Sequence, residues 1–141
     1  MRFPSEAWLR ELVAAANDHP DLPSALRGLG TDMAAVVEAD PPALARAFAA
    51  HGRQENGRIV GVRVLEDPDD ILELEPAYVL RAPYRVWKAL LLGGDPVRAA
   101  LSGQVRVTGD LAGLVRRAGY RYVVDAALAT VRTEFADEGR P

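Results

Sequence analysis

The chain has 141 residues, which suits one domain with one core and a single enclosed ligand site and is too short for two domains. Its apolar share of 49% is that of an ordinary globular protein, and 17 basic against 20 acidic side chains give a formal charge of −3, too small to argue for a nucleic-acid surface. The absence of cysteine removes disulfides, thiol catalysis and thiolate metal sites, and no run approaches the ~20 apolar residues of a membrane span.

The opening Met1-Arg2-Phe3-Pro4-Ser5-Glu6 is acidic and proline-broken where a secretion signal would be apolar, so a cytoplasmic protein without stable membrane insertion is expected. Ser5 is suited to cap a helix with Trp8, Leu9, Leu12, Val13 and Ala16 on one face, ending near Asn17-Asp18-His19-Pro20. Pro23-Ser24-Ala25-Leu26 reads as a helical turn closed by Gly28 and Gly30, and residues 33–39 read as a strand bounded by Thr31-Asp32 and Asp40-Pro41-Pro42. Residues 43–53 pull in two directions. Their first eight positions are helix formers, yet the turn Glu55-Asn56-Gly57 and the alternation of Ile59, Gly61 and Arg63 against Val60, Val62 and Val64 demand a hairpin partner upstream. A lone hairpin strand would leave its backbone unpaired, so a strand is expected.

After an acidic turn at 66–70 and a short connection, Val79-Leu80 starts a strand, Pro83 opens a helix carrying Val86, Leu90 and Leu91, and Gly93-Gly94 stops it. Asp95 caps a second short helix with Pro96 at its first position, ending at Ser102-Gly103, and residues 105–108 alternate as a half-buried strand. Asp110 then caps a long helix with Leu111, Leu114, Val115 and Ala118 on one face. Gly119, which costs ~1 kcal/mol relative to alanine inside a helix, predicts a kink or a split before Tyr122, Val123, Ala126 and Ala127 continue the buried side. Residues 134–141 are expected to fray, leaving a single domain with an ordered core over about 5–135. Five strands and several helices in mixed order predict an α+β layer, with helices covering one face of the sheet.

One long stretch carries a family resemblance. Ala82-Pro83-Tyr84, Trp87-Lys88-Ala89-Leu90-Leu91, Asp95-Pro96 and Leu101-Ser102-Gly103-Gln104-Val105-Arg106-Val107, closed by Gly109-Asp110-Leu111, resemble the second half of the sterol-carrier-protein-2-like domain. Phe3-Pro4-Ser5-Glu6, Trp8-Leu9 and Val36-Val37-Glu38-Ala39-Asp40 are similar to its opening helix and first strand. The family pattern has Met before Ser-Gly and Lys where Gln104 and Arg106 stand, so the departures are mild. The resemblance implies a mixed sheet enclosing an apolar lipid-holding cavity, and no catalysis by the domain itself.

Motifs for other chemistry are missing. His19 and His51 sit beside turn residues and form no metal pair, Gly28-Leu29-Gly30 lacks the third glycine of a dinucleotide fingerprint, and Asp67, Asp69 and Asp70 lack the glycine hinge of a calcium loop. Ser102 has no nucleophile-elbow context and reads as a turn residue, while Lys88, the only lysine, reads as a helix-surface side chain. The aromatic residues lie at helical spacing among leucines rather than on a basic strand face, which argues against nucleic acid as a partner. No cofactor and no metal are expected.

The expected ligand is a lipid such as a fatty acid, acyl-CoA or sterol-like molecule. Face and family together nominate Trp87, Leu91, Leu101, Val105, Val107, Leu111, Leu114, Val115 and Val123 as cavity lining, although Trp87 reads first as a core anchor between helix and sheet. Arg81, Tyr84, Arg85 and Gln104 are the nearest partners for a lipid's polar end. The helix weakened at Gly119 is the expected movable wall. An accessory or dimerisation module with a filled core competes, and an alanine-rich helix face suits a homodimer. A small enzyme would require carboxylates such as Glu38 and Asp110 to be buried in the pocket.

Overall fold

Period-two alternation places a sheet at the centre of the molecule. A computed structural model describes residues 1–116 and 119–138, and its main sheet runs in the order β4 (Arg58–Leu65), β3 (Phe48–Glu55), β2 (Asp32–Glu38), β5 (Tyr78–Pro83), β6 (Arg106–Thr108). Strand β2 pairs antiparallel with β3 and parallel with β5, so the sheet is mixed, as the α+β reading predicts.

The conflict over 43–53 resolves towards pairing. Phe48–Glu55 forms a strand because β2 on one side and β4 on the other satisfy its backbone, outweighing the helix propensity of its alanines. Asn56 and Gly57 take φ of 54° and 77°, the pair of positive values that a two-residue hairpin turn needs. Residues 43–47 stay outside the strand, beside an isolated bridge between Asp40 and Leu44.

The caps fall where the sequence places them. Ser5 Oγ accepts the Trp8 N–H at 3.1 Å and starts α1 (Glu6–Asn17), which is followed by α2 (Leu22–Leu26). After α3 (Ile71–Leu74) and α4 (Tyr84–Leu91), Asp95 accepts the N–H groups of Val97 and Arg98 to start α5 (Pro96–Leu101). Asp110 accepts from Gly113 at 2.9 Å in α6 (Leu111–Arg116), and α7 (Gly119–Thr130) is a separate helix. Ala118, expected on the inner face, lies outside the described residues.

Register assigns the two faces of the sheet. Met33, Ala35 and Val37 stand opposite Gly52, Ala50 and Phe48, and this face lies under α1, α2 and α4. Ala34 and Val36 share the other face with Ala49, Leu65 and Val79, where Ile71 and Leu74 of α3 cover them.

The C-terminal segment departs from expectation. Instead of fraying at 134, β7 (Glu134–Phe135) pairs in parallel with β1 (Arg2–Phe3), and both Phe3 and Phe135 are buried with Trp8 and Tyr84. Burying two phenylalanines supplies ~3–6 kcal/mol of transfer free energy at the usual rate, ample to hold a two-residue strand.

Candidate ligand cavity

Small side chains at the centre of the helix-covered face make room there. Ala35 stands opposite Ala50 and Met33 opposite Gly52, so two adjacent cross-strand pairs carry only one long side chain between them. Leu9 and Val13 of α1 arch over this floor, Leu26 and Leu29 close one end, and Ile59 and Val62 of β4 close the side. The resulting space is about 220 Å³, partly open to the surface, with an almost wholly apolar lining.

Polar side chains tie the walls together at the rim. Asn17 clamps the edge strand β4 to α1: its Nδ2 donates to the Ile59 carbonyl at 3.0 Å, and its Oδ1 accepts the Ile59 N–H at 2.9 Å. Arg10 donates to the Val62 carbonyl at 3.4 Å. The Gln54 amide donates to the carbonyls of Leu26 and Gly30, fixing the segment that caps the far end.

Asp32 and His51 border the cavity through a strand whose register turns both side chains to the opposite face. There His51 Nε2 donates to Asp32 Oδ2 at 2.9 Å, and the Ala77 N–H donates to Oδ1 at 2.9 Å. Burial pushes the Asp32 carboxyl up, but these hydrogen bonds and the nearby imidazole outweigh it and hold the group below the ordinary carboxylate range. His51, which the sequence sets beside a turn residue, is therefore a largely buried strand residue with a fixed partner.

The nominated lining residues are real packing residues in other places. Trp87 and Leu91 pack around Phe3, Trp8 and Tyr84, and the Trp87 indole N–H donates to the Val36 carbonyl at 2.9 Å, an anchor between α4 and the sheet. Val105 and Val107 do face the helix-covered side, but against Ala82, Ala99 and Val86. Leu114 packs with Leu29 and Tyr78, and Val123 packs with Ala16, Leu22 and Ala25. Leu111 and Val115 are half-buried, and Leu101 is 65% exposed. None of these nine borders the 220 Å³ cavity, and neither does any described residue of α6 or α7.

Of the four polar candidates, Tyr84 is buried with its hydroxyl donating to Asp137 at 2.8 Å, and Arg81 is half-buried on the opposite face beside Arg106. Arg85 pairs with Asp40 at 3.3 Å, and Gln104 is exposed; these two meet at a separate hollow between α4 and α5. Glu38 pairs with Arg106 and Asp110 caps α6, so neither carboxylate reaches the cavity.

The residues that form the cavity carry a signal in the sequence that composition hides. Met33-Ala34-Ala35 and Ala49-Ala50-His51-Gly52 put small residues on one parity of two neighbouring strands, and only the register shows that they coincide.

Solved structures match this architecture closely. A crystal structure of sterol carrier protein 2 superposes with a TM-score of 0.72 at 22% identity, covering 91% of this chain and 98% of that one. The chain has the sterol carrier protein 2 fold. A solution structure of a conserved hypothetical protein from Thermus thermophilus, named as possibly a sterol carrier protein, gives the same TM-score and identity over 90% and 88% of the two chains. The apo form of sterol carrier protein 2 from Yarrowia lipolytica gives 0.58 at 12% identity over 89% and 93%. No family model and no curated protein matches the sequence. The sterol carrier protein 2 fold is thus shared in backbone geometry far more than in residue identity. Among the described residues, no helix is long and apolar enough to cross a membrane, and no cluster of three or more His, Asp or Glu could hold a metal ion.

Proposed function

We propose that the protein binds a single acyl chain non-enzymatically in the cavity between α1, the Leu26–Leu29 side and the sheet, as a fatty acid or acyl-CoA carrier. The observation that carries this reading is an apolar space of about 220 Å³ in a fold shared with sterol carrier proteins. Its volume favours a chain over a sterol. Pockets for compact drug-sized ligands run from ~300 Å³ upward, whereas a narrower apolar slot suits a linear segment whose polar end remains at the rim. Nothing acid, basic or nucleophilic projects from the floor, which is built of Ala35, Ala50, Gly52 and Met33.

The test combines denaturing extraction of the purified protein with native mass spectrometry, followed by fatty-acid titration of the wild type and of Ala35→Leu. A stoichiometric extracted lipid, or saturable fatty-acid binding that Ala35→Leu abolishes, supports the carrier. Absence of any bound mass together with no fatty-acid response overturns it in favour of a filled interaction module.

A further inference from the structure

A second hollow, of about 420 Å³, lies between α4 and α5 on a part of the surface that shares no residue with the cavity. Val86, Leu90 and Ala99 form an apolar floor, and Arg85, Arg98 and Gln104 stand around it. These three come from α4, α5 and the loop before β6.

Their hydrogen-bonding capacity is largely unused. Arg85 uses Nη1 on Asp40, at 3.3 and 3.4 Å, leaving the rest of its guanidinium fork uncommitted. Arg98 and the Gln104 amide make no side-chain hydrogen bond or ion pair among the described residues. Among the described residues the one carboxylate bordering the hollow is Asp95, and it is engaged: Oδ1 accepts from the Val97 and Arg98 N–H groups and lies 3.6 Å from Arg121. Two guanidinium groups therefore border the hollow against one carboxylate that is already engaged.

We propose that the α4–α5 hollow is an anion site that takes a phosphate group. Two guanidinium forks and an amide arriving from three separate elements suit a tetrahedral group with three outer oxygens better than a flat carboxylate, and the apolar floor suits the carbon skeleton next to it. The phosphate can belong to a soluble phosphate ester or to a lipid headgroup, since both present the same oxygens.

The experiment is an amide-resolved NMR titration of the full-length protein with inorganic phosphate at constant ionic strength, paired with cosedimentation on phosphatidylcholine vesicles with and without phosphatidic acid. Saturable shifts confined to residues 85–104 and weakened roughly tenfold or more by Arg98→Gln establish the site for soluble phosphate. Binding only to vesicles that contain phosphatidic acid, lost in Arg98→Gln and kept in the remote Arg58→Gln, establishes it for a headgroup. No response to either probe, or a response that Arg98→Gln and Gln104→Ala both leave unchanged, overturns the proposal. A fatty acid in the other cavity shifts Met33 and Ile59 instead, so the two sites are read separately.

Discussion

Asn17 shows how much one side chain carries at this site. An edge strand exposes backbone groups that have no ladder partner, and Asn17 satisfies both the N–H and the carbonyl of Ile59 while tying α1 to β4. Asn17→Ala removes both bonds and leaves Ile59 to half-accessible solvent. We expect a loss of ~1–2 kcal/mol in urea denaturation, with little change in m-value because the native fold persists. An unchanged midpoint would show that water replaces the amide without cost. The local roles of Ser5, Asp95 and Asp110 were legible because each cap bonds a neighbour three or fewer residues away. The role of Asn17 was not, because its partner lies 42 residues further on.

At the level of elements, the two chain termini close on each other through β1 and β7, and a small polar cluster locks the pair. Tyr84 donates to Asp137 at 2.8 Å, while Lys88 bonds Asp137 at 3.1 Å and Glu138 at 2.6 Å. The Tyr84 hydrogen bond, opposed by desolvation and reinforced by Lys88, holds the Asp137 carboxyl below its ordinary range. A group whose folded pKa is depressed contributes stability that is complete above its unfolded value, about 4, and is lost as pH falls through the folded value. Acid is therefore expected to release this segment before the main sheet. Hydrogen exchange at the Glu134 and Ala136 amides, which bond Met1 and Phe3 carbonyls, should accelerate as pH drops below about 4 while β2 and β3 amides stay protected. Tyr84→Phe should move that transition to higher pH, and a transition that does not move would assign the depressed pKa to Lys88 instead.

For the whole molecule the cavity is a standing expense. On the scale measured for closed voids in cores, ~24 cal/mol per Å³, 220 Å³ corresponds to an upper bound of about 5 kcal/mol, since this space is partly open to solvent, in a domain with ~5–15 kcal/mol of stability. Thermal unfolding should register both filling and loss of that volume. A fatty acid at about a hundred times its Kd should add ~2.7 kcal/mol and raise Tm by roughly 8 °C. Ala35→Leu should raise the Tm of the ligand-free protein while removing the fatty-acid shift, since the same volume cannot be filled twice. A variant that gained stability yet kept the full ligand response would place the ligand elsewhere.

The amino-acid sequence by itself determined the class, the helices and the approximate places of the main-sheet strands, the hairpin at Asn56-Gly57 and the caps, because each rests largely on residues a few positions apart. Resemblance in the 82–111 stretch carried the fold as well, and its residues turned out to pack α4, α5 and β6 together rather than to border the open space. Only the tertiary structure decided where that space lies and how the chain ends are held. The cavity depends on Ala35, Ala50 and Gly52 falling on one face of two strands in one register, and a slip of one residue would turn them to the other side. The closure of the termini depends on Phe3 and Phe135 meeting across almost the whole length of the chain, a contact that no local pattern encodes.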